Sequence, residues 1–405
     1  MERYQQGAST QKHDVKNVFI CGGTGFLGYY SALEFIKKGA KVGVLALPNE
    51  LTLSADWWPK EIKVNYGMLF NLKPGDTTPT VTKEELVKMF TGYDTLVYAV
   101  GPDDRMHTPA GVSGYDFFHK YLVEKVVPVF EAAKEAGVKK AILLNSYFAY
   151  FDRIWPESHL AERHPYIRVR VEQAEALIKV GDGGVANGGM DVVVLELPYI
   201  FGSMPGRTPL WKEVFLDRFA SMPAIFFPKG GTNMIHVNGI AEAVVASAFY
   251  AQHGDRLPIG NKDLKFKDMI NMIMEDIGAT KRYCGVSAGI ATLGVKMTVI
   301  KNLKKHNQDS GLNYNYLMKD IQSKDLYFED DVKKVQEYLH YDELGYDGGG
   351  SIADGIKKTA IACYPHRFDE NGNLIEKWKG VNPIKKETAD NNVFVNKAKK
   401  KAEKK

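Results

Sequence analysis

Short apolar runs alternate with longer stretches of helical periodicity through the first half of the chain. The runs fall at 18–21, 42–47, 64–66, 95–99, 141–144 and 192–197. Between several of them lie helix-compatible stretches at 25–38, 117–136 and 166–180. Continuous apolar strands separated by helices predict a parallel sheet covered on both faces. Gly39-Ala40 and Gly137-Val138 punctuate helix ends before the next strand, and the glycines at 181, 183, 184, 188 and 189 flank a flexible insertion before the 192–197 run. Beyond Gly202 the alternation loosens into short helical patterns at 210–219, 240–253, 265–277 and 330–339.

The expected fold is therefore α/β, a Rossmann-type doubly wound parallel sheet with a smaller C-terminal substrate-binding lobe. Its divisions read as a flexible N-terminus (1–14), a dinucleotide-binding domain (15–200) and a lobe (201–365) in which about 232–260 returns to the sheet. A weakly ordered Lys-rich extension follows at 366–405. No internal repeat is visible. Open sheets of this kind bind ligands at the carboxyl ends of their strands, so the substrate is expected in the cleft beneath the lobe.

The first strand runs into Cys21-Gly22-Gly23-Thr24-Gly25-Phe26-Leu27-Gly28, and a helix opens there. At a strand-to-helix turn a diphosphate meets free backbone N–H groups and the positive end of the helix dipole. Gly22 suits the tight turn, Gly25 the close approach of phosphates, and Gly28 close helix–strand packing.

Charge changes little in this picture. The net charge is +4, but residues 396–405 alone carry six Lys and one Glu, so the rest of the chain sums to −1. The excess belongs to a solvated tail, and neither a nucleic-acid nor a membrane partner is expected. Cys21, Cys284 and Cys363 form no disulfide framework and have no metal-ligand spacing. The first residues contain no apolar signal-like core, and no apolar run reaches membrane-spanning length, so a reducing, cytoplasmic setting fits best.

Candidate chemistry sits where the fifth run ends, at Asn145-Ser146-Tyr147. Twenty residues after Ser146, Pro165 opens a helix that carries Tyr166 and Arg170. At i and i+4 the phenol and the guanidinium share one helix face. A hydroxyl, a phenol and a cation beside a dinucleotide turn suggest proton transfer coupled to hydride transfer. The cation is expected to pull the phenol down from its usual titration near 10.

With these residues the chain resembles the extended short-chain dehydrogenase/reductases of the NAD-dependent epimerase/dehydratase type. The family's glycine turn is matched by Thr24-Gly25-Phe26-Leu27-Gly28, its Ser after the fifth strand by Ser146, and its YxxxK helix in position by Tyr166 and Arg170. Pro198-Tyr199-Ile200-Phe201-Gly202 and His236-Val237-Asn238-Gly239-Ile240-Ala241 resemble two later family segments. The resemblance implies catalytic roles for Ser146, Tyr166 and Arg170. It also implies cofactor contacts from Gly22, Thr24, Gly25, Phe26, Leu27, Gly28, Ala99, Gly101, Pro198 and Ile200, no metal, and a homodimer.

Two departures stand out. Arg170 replaces the family's lysine; it keeps the charge but cannot reproduce a lysine's hydrogen bonds to the nicotinamide ribose. Around the second strand tip, Glu50 is the nearest acid and no basic residue is present, so NAD and NADP stay undistinguished. Aromatic residues after Ser146 and around Tyr199 suggest an apolar pocket: Tyr147, Phe148, Tyr150, Phe151, Trp155, Tyr199 and Phe201. Arg207 reads as a loop arginine, and His107, His159 and His164 read as surface histidines. Two functions follow. One is an NAD(P)-dependent oxidoreductase or epimerase/dehydratase acting on a hydroxyl or carbonyl of a small molecule. The other is a dinucleotide-binding regulator or assembly subunit that has kept the fold without the chemistry.

Overall fold

A computed structural model describes residues 2–6, 12–48, 50–72, 75–220 and 222–383. The parallel strands come first: β1 Asn17–Cys21, β2 Lys41–Ala46, β3 Lys63–Tyr66, β4 Thr95–Tyr98, β5 Lys140–Ser146 and β6 Asp191–Leu197. After β7 Tyr199–Phe201, β8 Ile225–Pro228 and β9 Gly231–His236, the chain returns to the same sheet as β10 Arg256–Pro258. The spatial order is β10-β6-β5-β4-β1-β2-β3, all parallel. The order reverses between β1 and β4, which opens a crevice at the strands' carboxyl ends.

Every residue of β5 and β6 is buried, as expected for strands covered on both faces. The helices Phe26–Lys37 and Val237–Tyr250 pack together over one face, and Val127–Glu135 and Pro165–Val180 pack over the other. Lys140, buried at the start of β5, donates to the carbonyls of Ala248 (3.1 Å) and Ala251 (2.5 Å), where the Val237–Tyr250 helix ends. A cation at a helix C-terminus satisfies orphan carbonyls and complements the dipole.

The smaller lobe is built on β9, which pairs with β7, with β11 Lys262–Lys265 and with β13 Asp325–Leu326. A separate parallel pair joins β8 to β12 Tyr283–Val286. Its core includes Phe215, Phe219, Phe266, Ile270 and Ile356.

The structure corrects several expectations. The 117–136 stretch is interrupted: Gly114–His119 runs into a π-helical turn, Lys120–Glu124, and a new helix, Val127–Glu135, begins with Pro128 in its first turn. A proline there lacks the N–H that an unbroken helix would need. Within the N-terminal stretch, Arg3–Gln6 forms a 3-10 turn, Tyr4 is buried, and Arg3 pairs with buried Asp255 at 2.6 Å. The extension from 366 is packed as far as it is described. Arg367 is fully buried and donates to the carbonyls of Ile277 (2.6 Å) and Val381 (2.8 Å). The Lys-rich 396–405 run lies outside the described residues.

Candidate active site

The glycine turn is dictated by crowding. Gly22 has φ +86°, and a Cβ there would meet the Ala99 carbonyl at 2.7 Å; a Cβ on Gly28 would run into the Gly22 carbonyl. The Gly25 N–H closes the turn on the Gly22 oxygen at 2.9 Å. The helix Phe26–Lys37 then starts without a side-chain cap, leaving its first N–H groups for a ligand. The cradle has the shape and polarity of a diphosphate site.

Beside it lies a cavity of about 560 Å³. Phe26, Leu27, Ala99, Gly101, Pro198 and Ile200 line it together with Ser146, Tyr166 and Arg170, so residues foreseen for cofactor and for chemistry share one space. Gly22, Thr24, Gly25 and Gly28 form the turn at its edge. Arg207 is no free loop arginine: it donates to the Thr24 carbonyl at 2.9 Å and pairs with Glu50 at 3.3 Å, bridging the turn to the segment after β2.

Ser146 ends β5 and caps the helix Tyr147–Ile154, its Oγ accepting the Phe148 N–H at 3.3 Å. Asn145, just before it, donates to the Arg170 carbonyl at 3.0 Å and ties strand end to helix. On the helix Pro165–Val180, Arg170 Nε donates to the Tyr166 hydroxyl at 2.8 Å. Its Nη1 donates to Gln173 Oε1 at 2.8 Å and to the Leu144 carbonyl at 3.4 Å. The helix also meets the segment before β13, where the Gly311 carbonyl accepts the Tyr166 N–H at 2.8 Å.

Electrostatics overturn one expectation. The Tyr166 phenol titrates above its ordinary value, because burial outweighs the charge and hydrogen bond of Arg170. The Asp104 carboxylate adds to the upward push. Asp104, itself raised chiefly by burial, lines the cavity beside Asp103 and Arg105, and Arg105 pairs with Asp103 at 2.9 Å. None of these three residues was singled out from the sequence; an acid–acid–base triplet in a loop has no distinguishing spacing.

The cavity's other wall is apolar: Trp211, Phe215, Phe219 and Phe227 from the lobe, with Leu317 and Met318 from the segment before β13. Of the aromatics foreseen for a pocket, Tyr147, Phe148 and Tyr199 do line it. Tyr150, Phe151 and Phe201 instead fill the core, and Trp155 packs against it. His164 departs from expectation as well. It is fully buried at the start of the Tyr166 helix, where its Nδ1 accepts the Asn313 N–H at 3.1 Å, and burial pulls its titration down to about 4. Among the described residues, no His, Cys, Asp and Glu group is placed to hold a metal, and no helix is long and apolar enough to cross a membrane.

No protein-family model and no curated protein sequence matches the chain. Solved structures do share its fold. The protein gox2253 superposes with a TM-score of 0.63 at 18% identity, covering 87% of this chain and 98% of its own. A nucleoside-diphosphate-sugar epimerase from Pseudomonas aeruginosa gives 0.57 at 13% identity, with coverages of 87% and 98%. The UDP-glucuronic acid 4-epimerase of Bacillus cereus, solved with UDP-glucuronic acid and NAD, gives 0.57 at 12% identity, with coverages of 86% and 99%. The chain has the Rossmann-type fold of the NAD-dependent epimerase/dehydratase structures.

Proposed function

We propose that this protein is an NAD(P)-dependent oxidoreductase of the extended short-chain dehydrogenase type, acting on a carbonyl or hydroxyl of a small apolar molecule. The observation that carries the reading is the 2.8 Å bond from Arg170 Nε to the Tyr166 hydroxyl, inside a cavity that also holds Ser146 and the first residues after the glycine turn. The bound dinucleotide would supply or accept hydride, its diphosphate resting on the Gly22–Gly28 cradle.

The chain's own residues handle the proton. Ser146 Oγ accepts from the Phe148 N–H, which leaves its hydroxyl hydrogen to donate to a substrate oxygen. The Tyr166 phenol, raised further by burial, carries its proton at neutral pH and is set to donate it to a carbonyl oxygen. Arg170 stabilises the phenolate left behind, and Asn145 fixes the helix carrying both to the end of β5. The apolar wall formed by Trp211, Phe215, Phe219 and Phe227 suits a hydrophobic substrate better than a sugar diphosphate.

A second reading, a dinucleotide-binding regulator, is favoured by one observation. Arg170 is engaged by Tyr166, Gln173 and the Leu144 carbonyl, rather than reaching out as the family lysine does. Consumption of NADH or NADPH with a panel of apolar ketones and aldehydes separates the two. Turnover that is lost in Tyr166→Phe supports the enzyme; turnover retained in Tyr166→Phe sinks the mechanism.

A further inference from the structure

We infer that the helical segment 288–305 and the adjoining strand β8 form a docking surface for an anionic lipid membrane. The segment runs through a helix Ala288–Val295, a π-helical turn Lys296–Ile300 and a last turn Lys301–Lys305. One side is anchored by buried Val295 and Leu303. The opposite side leaves Ile290 (63% exposed), Leu293 (60%) and Met297 (68%) in solvent. Ile290 and Leu293 share one face of the first helix at i, i+3, Met297 follows in the π-helical turn, and Lys301 and Lys304 are exposed in the last turn. The neighbouring strand adds Phe226, 51% exposed, next to Phe227, which lines the active-site cavity. Large apolar side chains grouped in this way are unusual on a soluble surface.

Charge selects the occupant. From 277 to 308 there are six basic residues (Lys281, Arg282, Lys296, Lys301, Lys304 and Lys305) and no Asp or Glu. Among the described residues, no carboxylate comes within ion-pair reach of Lys296, Lys301, Lys304 or Lys305. The chain's overall charge conceals this, because acids elsewhere offset it. An exposed apolar stripe rimmed by unpaired lysines is the arrangement that lies in a membrane interface, with the stripe among acyl chains and the ammonium groups on anionic headgroups. The surface lies on the outer side of the wall that carries Phe227, so a lipid-dissolved substrate would reach the cavity from the membrane side.

Co-sedimentation of the full chain with vesicles of phosphatidylcholine, with and without phosphatidylglycerol, tests this without any substrate, so its outcome is independent of the catalytic reading. The protein is expected to bind only the phosphatidylglycerol-containing vesicles, with binding weakened by salt. The Ile290→Glu/Leu293→Glu/Met297→Glu variant should lose at least about tenfold in binding. Lys301→Glu/Lys304→Glu, at exposed positions, serves as the second variant and should also weaken binding. The Lys-rich 396–405 run is identical in all three proteins. Equal binding by all of them would therefore assign the attraction to that run and overturn the proposal. So would absence of binding, or light scattering that shows a wild-type dimer dissolved by the apolar-stripe variant.

Discussion

The two ends of the cavity are built from different materials. At the glycine turn the backbone makes the site: Gly22 and Gly28 are there because any side chain would strike the Ala99 or Gly22 carbonyl. At the far end side chains make it, with Trp211, Phe215, Phe219 and Phe227 joined by Leu317 and Met318 from a segment about a hundred residues further on. Ser146, Tyr166 and Arg170 stand where the two meet. A site made of backbone admits few sequences and one class of ligand, whereas a wall of side chains can be exchanged without altering the fold. On the proposed reading, the backbone end would set the cofactor preference and the side-chain end the substrate preference.

Substitutions can break that separation or sharpen it. The largest effect is expected at the junction. Tyr166→Phe should lower turnover by roughly 10²–10⁴-fold while leaving dinucleotide affinity unchanged, read by steady-state kinetics and calorimetry. Gly28→Ala forces a methyl group into the Gly22 carbonyl and should weaken dinucleotide binding by about tenfold or more, with circular dichroism checking the fold. Trp211→Leu should do the reverse, raising the substrate KM by roughly tenfold with no change in dinucleotide affinity. If Trp211→Leu weakened both equally, the two ends would not be independent.

Smaller effects concern charge. Asp104→Asn removes a negative neighbour from Tyr166, so the loss of reductive activity at high pH should move to lower pH. Arg170→Met removes the cation and should move the same limb upward. Shifts in a common direction would contradict the electrostatics described. The smallest effect lies away from both ends, at Glu242, which accepts the Gly348 N–H at 2.9 Å and is pushed up to about 7 by burial. The folded protein holds this proton up to about pH 7, whereas the unfolded chain releases it near 4.5. Folding stability should therefore fall as pH rises through that interval, and Glu242→Gln should flatten the dependence in denaturant titrations.

How much of this could be read from residues alone follows the same division. The sheet, the glycine turn and the Tyr166–Arg170 pair were legible because each is local: strand runs, a strand-to-helix turn, and an i, i+4 pair behind a proline; Ser146, twenty residues earlier, lines the same cavity as that pair. The direction of the Tyr166 shift was not. Spacing reveals that Arg170 is near, but burial, which outweighs it, is a property of the assembled core. Asp104 and the apolar wall were also invisible, since Phe and Trp that line a cavity are the same residue types as Phe151 and Phe201 in the core. The packing of Tyr4 and Arg367 was missed for a related reason: Tyr4 packs near Glu329–Tyr338, and one of the two carbonyls that Arg367 reaches belongs to Ile277, both far away in sequence.

On the proposed reading, the cradle and the Tyr166–Arg170 pair form one dinucleotide-dependent site. Calorimetric titration of the protein with NAD, NADH, NADP and NADPH tests it most directly. Saturable binding of one oxidised/reduced pair is predicted. Absence of binding by all four would contradict the account and leave the glycine turn a structural feature alone.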